Sequence, residues 1–349
     1  MLDNAFLPPD HNRSSAYFFA TILAFLVIIL GAYTRLTDAG LGCPDWPACY
    51  GHWIPSKSLA TTHQAFNATK AWTEMIHRYL AGSLGLFIMG LTLFAFYDKI
   101  INLQKPRFFR ASMQRQPLFL LTILSLLVIF QALLGKWTVT LKLYPPVVMA
   151  HLLGGMMILS LLWWAYLKAR LTTRISLKPA LLNGIRLWAG ISLIILLFQL
   201  FLGGLTSANY AALVCLDFPF CNMGQTISFD FFNIIHTVTA GLSTPIGQPL
   251  DNATLIEIHM LHRIGALATT IILGTLTLWI YFLIPHIFSR RLSLIILFLL
   301  VAQVALGITN ILALLPIDIA VTHNAVACLL LLAVITLNYY FYCQSRSFL

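Results

Sequence analysis

Charged residues are scarce in this chain. They make up 9% of its 349 residues, whereas about 25% is usual in soluble domains. Hydrophobic residues make up 59%, and the mean hydropathy is +0.86. A chain with so little polar surface cannot cover an apolar core in water. The composition therefore excludes a soluble domain and indicates an integral membrane protein with several spans.

Acidic residues are scarcer still, with 11 Asp and Glu against 21 Lys and Arg. The resulting net charge of +10 is also typical of nucleic-acid-binding proteins. Here, however, the basic residues lie in short segments between apolar runs and form no single stripe. Membrane topology requires that arrangement. We therefore expect the lipid bilayer as a partner and no nucleic acid.

We expect no signal peptide, and the first apolar run is predicted to be the first span. The first apolar run is longer than a signal-peptide core, only Arg13 supplies a positive charge before it, and no small-residue cleavage site follows. Most Lys and Arg residues lie in segments on the same side of the membrane as the N-terminus, which predicts that both termini are in the cytoplasm. Eight runs reach the roughly 20 residues needed to cross a bilayer. They lie near 16–34, 75–97, 118–137, 147–167, 188–208, 258–284, 292–312 and 319–343.

An internal repeat divides the chain into two halves. The segment Gly31–Gly51 follows the first span, and a second version, Gly203–Cys221, follows the fifth. Aligning their cysteines gives a constant offset of 172 residues (215 − 43) and the shared pattern C-x-D-aromatic-P-x-C. Each half supplies four helices, an even number, so both halves insert in the same orientation. The predicted fold is all-α, with eight transmembrane helices in two tandem four-helix bundles related by a pseudo-twofold axis along the membrane normal.

The predicted domains follow this repeat. We expect an N-terminal four-helix half at 16–167 and a C-terminal four-helix half at 188–343. A cytoplasmic linker at 168–187 joins them, and cytoplasmic tails at 1–15 and 344–349 flank them. The outer loop at 222–256 and the N-terminal extension have no counterpart and are assigned no role.

Four histidines occupy equivalent positions in the two halves: His77, His151, His262 and His323. One pair opens the second helix of each half and the other pair opens the fourth. Two imidazoles at one depth on facing helices can clamp a heme edge-on. Ionisable side chains within spans are costly, so they are functional candidates. Two symmetric pairs therefore predict heme ligation, with these four residues as the metal ligands.

Zinc is the competing metal for clustered histidines. The pairs lack HxxxH spacing, and no Asp or Glu lies within a turn of His151 or His323. His259 and His262 share a helix face, so a stray metal site there stays open. The counterpart of His259 in the first half is Glu74. Glu74 either handles protons beside a heme ligand or is an N-terminal acid favoured by the helix dipole.

Two arginines, Arg78 and Arg263, directly follow two of the histidines. Each is either a bidentate partner of a heme propionate or an interfacial anchor. Two cysteine pairs fall in outer loops, where disulfides are permitted. Five intervening residues make a small closed loop, so we expect disulfides within each pair, with a reversible redox pair as the alternative. The pairs are Cys43–Cys49 and Cys215–Cys221.

Several motifs resemble those of the heme A synthase family. They are TRLTDAGLGCPDWPACYG after the first span, EMIHR in the second, AHLLGG in the fourth, HMLHRIGA in the sixth and THNAVA in the eighth, and the resemblance covers about residues 16–343. It implies an oxidoreductase of cytochrome oxidase assembly in the bacterial cytoplasmic (inner) membrane, with the cysteine loops on the outer face. The implied reaction oxidises the C8 methyl group of heme O to the formyl group of heme A by two hydroxylations through heme I.

Carried over residue by residue, the resemblance implies that the substrate heme O binds between His77 and His151. It implies a resident heme B between His262 and His323, and it gives Glu74 the position of the family's functionally important acid. Two partners are implied, an electron acceptor and the protoheme farnesyltransferase that makes heme O. The alternative is a di-heme cytochrome b that transfers electrons without modifying heme. A transporter built from parallel repeats is a third interpretation. Such transporters have broken helices at the membrane midplane, and the predicted spans of this sequence show none.

Overall fold

A computed structural model describes residues 11–55, 66–104, 117–171, 177–219, 221, 234–243, 248 and 250–343. Within these ranges the chain forms nine α-helices and no β-strand. The helices are α1 (His11–Leu36), α2 (Ala68–Gln104), α3 (Leu118–Thr140), α4 (Pro145–Arg170), α5 (Pro179–Ala208), α6 (Ile234–Ser243), α7 (Asn252–Leu283), α8 (Ile287–Leu312) and α9 (Ile317–Cys343). Residues 1–10 and 344–349 of the predicted tails, and much of the loop 222–256, lie outside the described residues.

Eight of these helices are long and apolar enough to cross a membrane. This confirms the prediction of an all-α protein with eight spans. Many of their large apolar side chains are exposed on the protein surface, among them Leu86, Phe119 and Phe282, as lipid contact requires. The short α6 was not predicted, because ten residues are too few to be recognised as a span.

The helices extend beyond the apolar runs that predicted them. For example, α2 begins at Ala68, seven residues before the predicted start at 75, and ends at Gln104. A helix satisfies its own backbone hydrogen bonds, so it can continue past the hydrocarbon layer into polar sequence. Asp251 caps the start of α7 by accepting hydrogen bonds from the Thr254 hydroxyl and amide. These bonds lower the pKa of Asp251 below its usual value.

Each half of the chain closes into its own bundle of four helices. In the first half α1 packs against α2 and α4, and α3 completes the ring by packing against the same two helices. In the second half α5 packs against α7 and α9, and α8 packs against α7 and α9. The same pairing order in both halves is what the sequence repeat predicts. The pseudo-twofold axis itself stays a prediction.

The two halves meet along α4 and α9, with α1 packing on α9 and α5 on α4. The contact is tightly packed, and α9 is the most buried of the eight spans. Trp163 on α4 donates its indole N–H to the hydroxyl of Thr336 at 2.8 Å and to the carbonyl of Leu332 at 3.1 Å. Close packing and interhelical hydrogen bonds of this kind hold helices together in lipid, where the hydrophobic effect between helices is absent.

Arg35 joins the two halves at the opposite end of this contact. Its guanidinium donates to the carbonyl of Ser207 at 3.0 Å and lies 3.9 Å from the ring centroid of Tyr210, a cation–π contact. Arg35 and Ser207 are separated by 172 residues, so each occupies the other's place in the repeat. The sequence singled out Arg35 only as part of a motif, and its contact across the halves was not predicted.

The two repeated loops fold as caps at one end of the helices. In the first cap, residues 37–55, Cys43 is bonded to Cys49 with 4.8 Å between their Cα atoms. The Asp45 carboxylate accepts backbone hydrogen bonds from Tyr50 and Gly51 and closes the loop. In the second cap, residues 209–219 with Cys221, Cys215 is bonded to Cys221 and their Cα atoms are 5.5 Å apart. Both caps therefore lie over the helix ends that carry the histidines.

Candidate heme-binding sites

The four predicted histidines come from four different helices, two in each half. With a rise of 1.5 Å per residue, His77 and His262 lie roughly 14 Å inside α2 and α7, and His151 and His323 lie about 9 Å inside α4 and α9. The sequence predicted that these histidines lie at the helix mouths. In the structure they lie further inside, because the helices begin before the apolar runs that predicted them. Corresponding residues of the two halves thus lie at matching depths.

Within each half the two histidines lie near each other. His77 lies near His151 in the first bundle, and His262 lies near His323 in the second. The structure therefore brings together the two pairs that the sequence singled out. Each pair joins two helices of one bundle on the side covered by that bundle's cap.

A glycine on the neighbouring helix lies against each histidine ring. A methyl group added at these glycines would approach Cε1 of the ring to between 3.0 and 3.3 Å. Larger side chains would push the rings out of place, so the glycines define where each imidazole lies. The pairs are Gly31 with His77, Gly135 with His151, Gly203 with His262 and Gly307 with His323.

Three of the histidines bury Nδ1 against protein without a hydrogen bond of normal geometry. The backbones of Val27, Gln131 and Gln303 lie beside these rings within hydrogen-bonding reach. In His77 and His151 this leaves Nε2 as the nitrogen available to a ligand. Metal-binding histidines commonly direct one nitrogen at the protein and the other at the metal.

Glu74 and Arg78 attach the first cap to α2. One carboxylate oxygen of Glu74 accepts the backbone N–H of Cys43 at 2.9 Å, and the other pairs with Arg78 at 2.5 Å. Arg78 also donates to the carbonyls of Asp45 and Ala48, at 3.0 and 2.7 Å. Both side chains are largely buried, with exposed fractions of 5% and 12%. The sequence left Arg78 open as a propionate partner or an interfacial anchor, and in the structure its guanidinium bonds to the cap.

Arg263 repeats this role in the second half. It donates to the carbonyls of Asp217 at 2.6 Å, Pro219 at 3.0 Å and Cys215 at 2.7 Å. At the position of Glu74, the second half has His259 in place of a carboxylate. The His259 side chain is buried, and its Nδ1 makes no hydrogen bond within the described part of the chain.

Three glutamines are site residues that the sequence interpretation missed. Gln131, Gln199 and Gln303 each lie four residues before a ring-contacting glycine, and their side-chain amides reach His151, His262 and His323. Two of them were noticed only as markers of the repeat. The recurring Q-x3-G spacing, one turn apart on the same helix face, was the signal that could have found them.

No group of three or more His, Cys, Asp or Glu side chains that could hold a bare metal ion occurs among the described residues. This includes the surroundings of His259 and His262, for which the sequence left a stray metal site open. The histidines could instead supply two ligands per half. Two protein ligands are too few for a structural zinc ion, which takes four, but they complete the coordination of an iron already held by a porphyrin.

The fit of the first cap on α2 depends on Gly42. A methyl group at Gly42 would lie 2.7 and 2.8 Å from the carbonyl carbon and oxygen of Lys70. We expect Gly42→Ala to lower the free energy of unfolding by about 1–3 kcal/mol, the usual cost of overpacking. Gly40→Ala is the matched control, because its methyl group would meet only Leu143 at 3.5 Å. Thermal unfolding in detergent compares them, and equal melting temperatures would contradict the contact.

Comparisons with known proteins agree on one family. A profile of the cytochrome oxidase assembly protein family COX15-CtaA matches residues 15–335. Heme A synthase of Shewanella oneidensis is 41% identical, covering 93% of this chain and 96% of that protein. Heme A synthase of Bartonella quintana is 25% identical over 88% of this chain and 86% of its own length. That of Caulobacter vibrioides is 24% identical, covering 94% and 96%.

Proposed function

The chain belongs to the cytochrome oxidase assembly protein family COX15-CtaA, and we propose that it is a heme A synthase, like its relatives of that name. It is then an oxidoreductase that converts the C8 methyl group of heme O into the formyl group of heme A. The observation that carries the proposal is the presence of two histidine pairs, one in each four-helix bundle.

The residues present fit two hemes. Each ring lies against a glycine that leaves the imidazole room and sets its position. Neutral imidazole nitrogen binds heme iron well, so His77 with His151, and His262 with His323, would hold one heme in each half. At His323 the amide nitrogen of Gln303 lies 3.1 Å from Nε2. For Nε2 to bind iron, this amide would have to move away from the ring.

In the N-terminal half, His77 and His151 hold the substrate heme O by its iron and orient its ring. Each hydroxylation, with water as the oxygen source, adds one oxygen atom to the C8 methyl carbon and releases two electrons and two protons. The gem-diol formed by the second hydroxylation loses water to give the aldehyde. In the C-terminal half, His262 and His323 hold a resident heme B. That heme, when bound, supplies one-electron redox chemistry.

Glu74 is our candidate for the proton-handling group of the N-terminal half. It lies three residues before His77 on α2, hence on the same helix face. Its carboxylate bonds to Arg78 and to the Cys43 amide, so it is oriented and connected to the cap. The corresponding residue of the other half is His259, which supports different roles for the two halves.

The orientation and partners follow from the same proposal. We propose that the protein lies in the bacterial cytoplasmic membrane with both termini inside and the caps outside, which the disulfide-bonded cysteines support. Protoheme farnesyltransferase is the proposed supplier of heme O, because so insoluble a substrate favours direct transfer. An electron acceptor must also contact the protein, since the reaction releases electrons.

Extraction of heme from the purified protein tests the function. We expect heme B together with heme O, heme I or heme A, resolved by reversed-phase chromatography. Cells that lack heme O synthesis provide the control, in which heme B alone should remain. Heme B at both sites in cells that make heme O would contradict the proposal and support the di-heme cytochrome b.

A further inference from the structure

Four helices each place a glycine against a histidine ring. The residue four positions before that glycine is the same in three of these helices and different in the fourth. In three of the four helices this residue is glutamine, and in α1 it is valine. The pairs are Gln131 with Gly135, Gln199 with Gly203, Gln303 with Gly307, and Val27 with Gly31. His77 is therefore the histidine that lacks a glutamine partner.

At His151 the glutamine holds the histidine from the neighbouring helix α3. We call this arrangement of a glutamine and a glycine three residues after the histidine a clamp. The Gln131 amide donates to the backbone carbonyl of His151. Its side-chain oxygen lies where a methyl group on Gly154 would be, so the absence of a side chain at Gly154 makes room for the amide.

At His262 the same arrangement recurs with an additional contact. The amide nitrogen of Gln199 donates to the His262 carbonyl at 3.1 Å and lies 3.0 Å from Nδ1 of the ring. Gly265 leaves the space that the Gln199 oxygen fills. Gly154 and Gly265 each follow their histidine by three residues. The space that this glycine leaves for the glutamine, which we call the notch, therefore recurs at the same position in both sites.

At His323 the glutamine contacts the ring itself. The amide nitrogen of Gln303 lies 3.1 Å from Nε2 of His323. Val326 occupies the position at which the other two sites have glycine. Its side chain leaves no notch for the glutamine, and the Gln303 amide lies against the ring instead. Both histidines of the C-terminal half thus carry a glutamine contact.

At His77 neither part of this clamp is present. Val27 replaces the glutamine, and Leu80 replaces the glycine three residues after the histidine. The backbone of Val27 lies near the ring, as the backbone of Gln131 does at His151. The N-terminal half therefore contains one clamped and one unclamped histidine.

We propose that His77 is the dissociable ligand of the N-terminal site and that His151 retains the heme while substrate and product exchange. The inference rests on the proposed function. A substrate site must release its heme in every cycle, whereas a resident cofactor must stay. Gln131 holds the backbone of α4 at His151 through its bond to the His151 carbonyl. This ligand therefore loses less conformational freedom on binding iron than His77 does, and it binds more tightly. Outer-shell contacts of this kind typically change metal affinity about 10–100-fold.

The two histidines of the N-terminal site should therefore respond differently to removal. We expect His77→Ala to keep the substrate heme as a five-coordinate, high-spin species that binds CO when reduced, and His151→Ala to lose it. Heme content by chromatography, the ferric EPR spectrum and CO difference spectra measure this. Equal loss in both variants would overturn the inference while leaving the function intact. Full retention of heme O in both would instead contradict the function.

Introducing the missing glutamine and glycine into α1 and α2 tests directly whether the glutamine slows heme release. The double variant V27Q/L80G reproduces the Gln199 and Gly265 arrangement around His77, and we expect heme transfer from the N-terminal site to apomyoglobin to slow about tenfold. L80G alone is the control and should not slow transfer. In the reciprocal variant Q199L, loss of the resident heme should become about tenfold faster. Unchanged transfer rates in both V27Q/L80G and Q199L would overturn the proposal.

Discussion

Replacing His262 with alanine is expected to remove the heme B that copurifies with the protein, whereas replacing His77 leaves that heme bound and abolishes heme A formation. The reason is that each histidine belongs to a separate pair in a separate bundle. Losing one of two protein ligands, together with the Gln199 contact to His262, leaves the resident heme weakly held. Pyridine hemochrome spectra and chromatography of the extracted heme measure the outcome.

A control variant separates ligand loss from a general effect of removing histidine. His236→Ala serves this purpose, because His236 is exposed on the short α6 and contacts neither pair. It should retain both hemes and full activity. Equal loss of heme B from His77→Ala and His262→Ala would show that the assignment of the two halves is wrong.

Removing the Glu74 side chain is expected to detach the first cap and eliminate activity. Glu74→Ala leaves Arg78 and the Cys43 amide without their buried partner. Breaking one side of a buried ion pair typically costs about 3–5 kcal/mol. We therefore expect a clearly lower melting temperature in detergent and faster reduction of the Cys43–Cys49 bond by dithiothreitol.

Glu74→Gln separates the structural role of this residue from its chemical role. The amide keeps an acceptor for the Cys43 N–H but cannot hold a proton as a carboxylate does, so the cap should stay in place while heme A formation falls. The control is Asp98→Ala, which removes a looser ion pair with Arg13 at 3.9 Å and should cost at most about 1 kcal/mol. Wild-type activity in Glu74→Gln would exclude proton transfer by the carboxylate, and unchanged melting of Glu74→Ala would exclude the anchoring role.

The caps show which details of a recognised sequence motif the sequence leaves open. The repeated C-x-D-aromatic-P-x-C pattern identified both loops and their cysteine pairs. The two arginines were weighed as propionate partners or interfacial anchors, but in the structure both donate to cap carbonyls. Every residue has a backbone carbonyl, so the residue types do not indicate which carbonyls accept a hydrogen bond from a distant arginine. Only the folded structure shows these pairings.

By itself, the sequence determined the membrane class, the eight spans, the two repeated halves and the four histidines. These features are local or periodic: hydropathy, span length and residue spacing follow from the chain alone. Only the tertiary structure decided where the helices end, how Glu74 joins Arg78, and which histidines a glutamine clamps. Those contacts depend on the direction and depth at which side chains from separate helices meet. The physical reason is that close packing between helices sets these distances, whereas the residue order of any one helix does not.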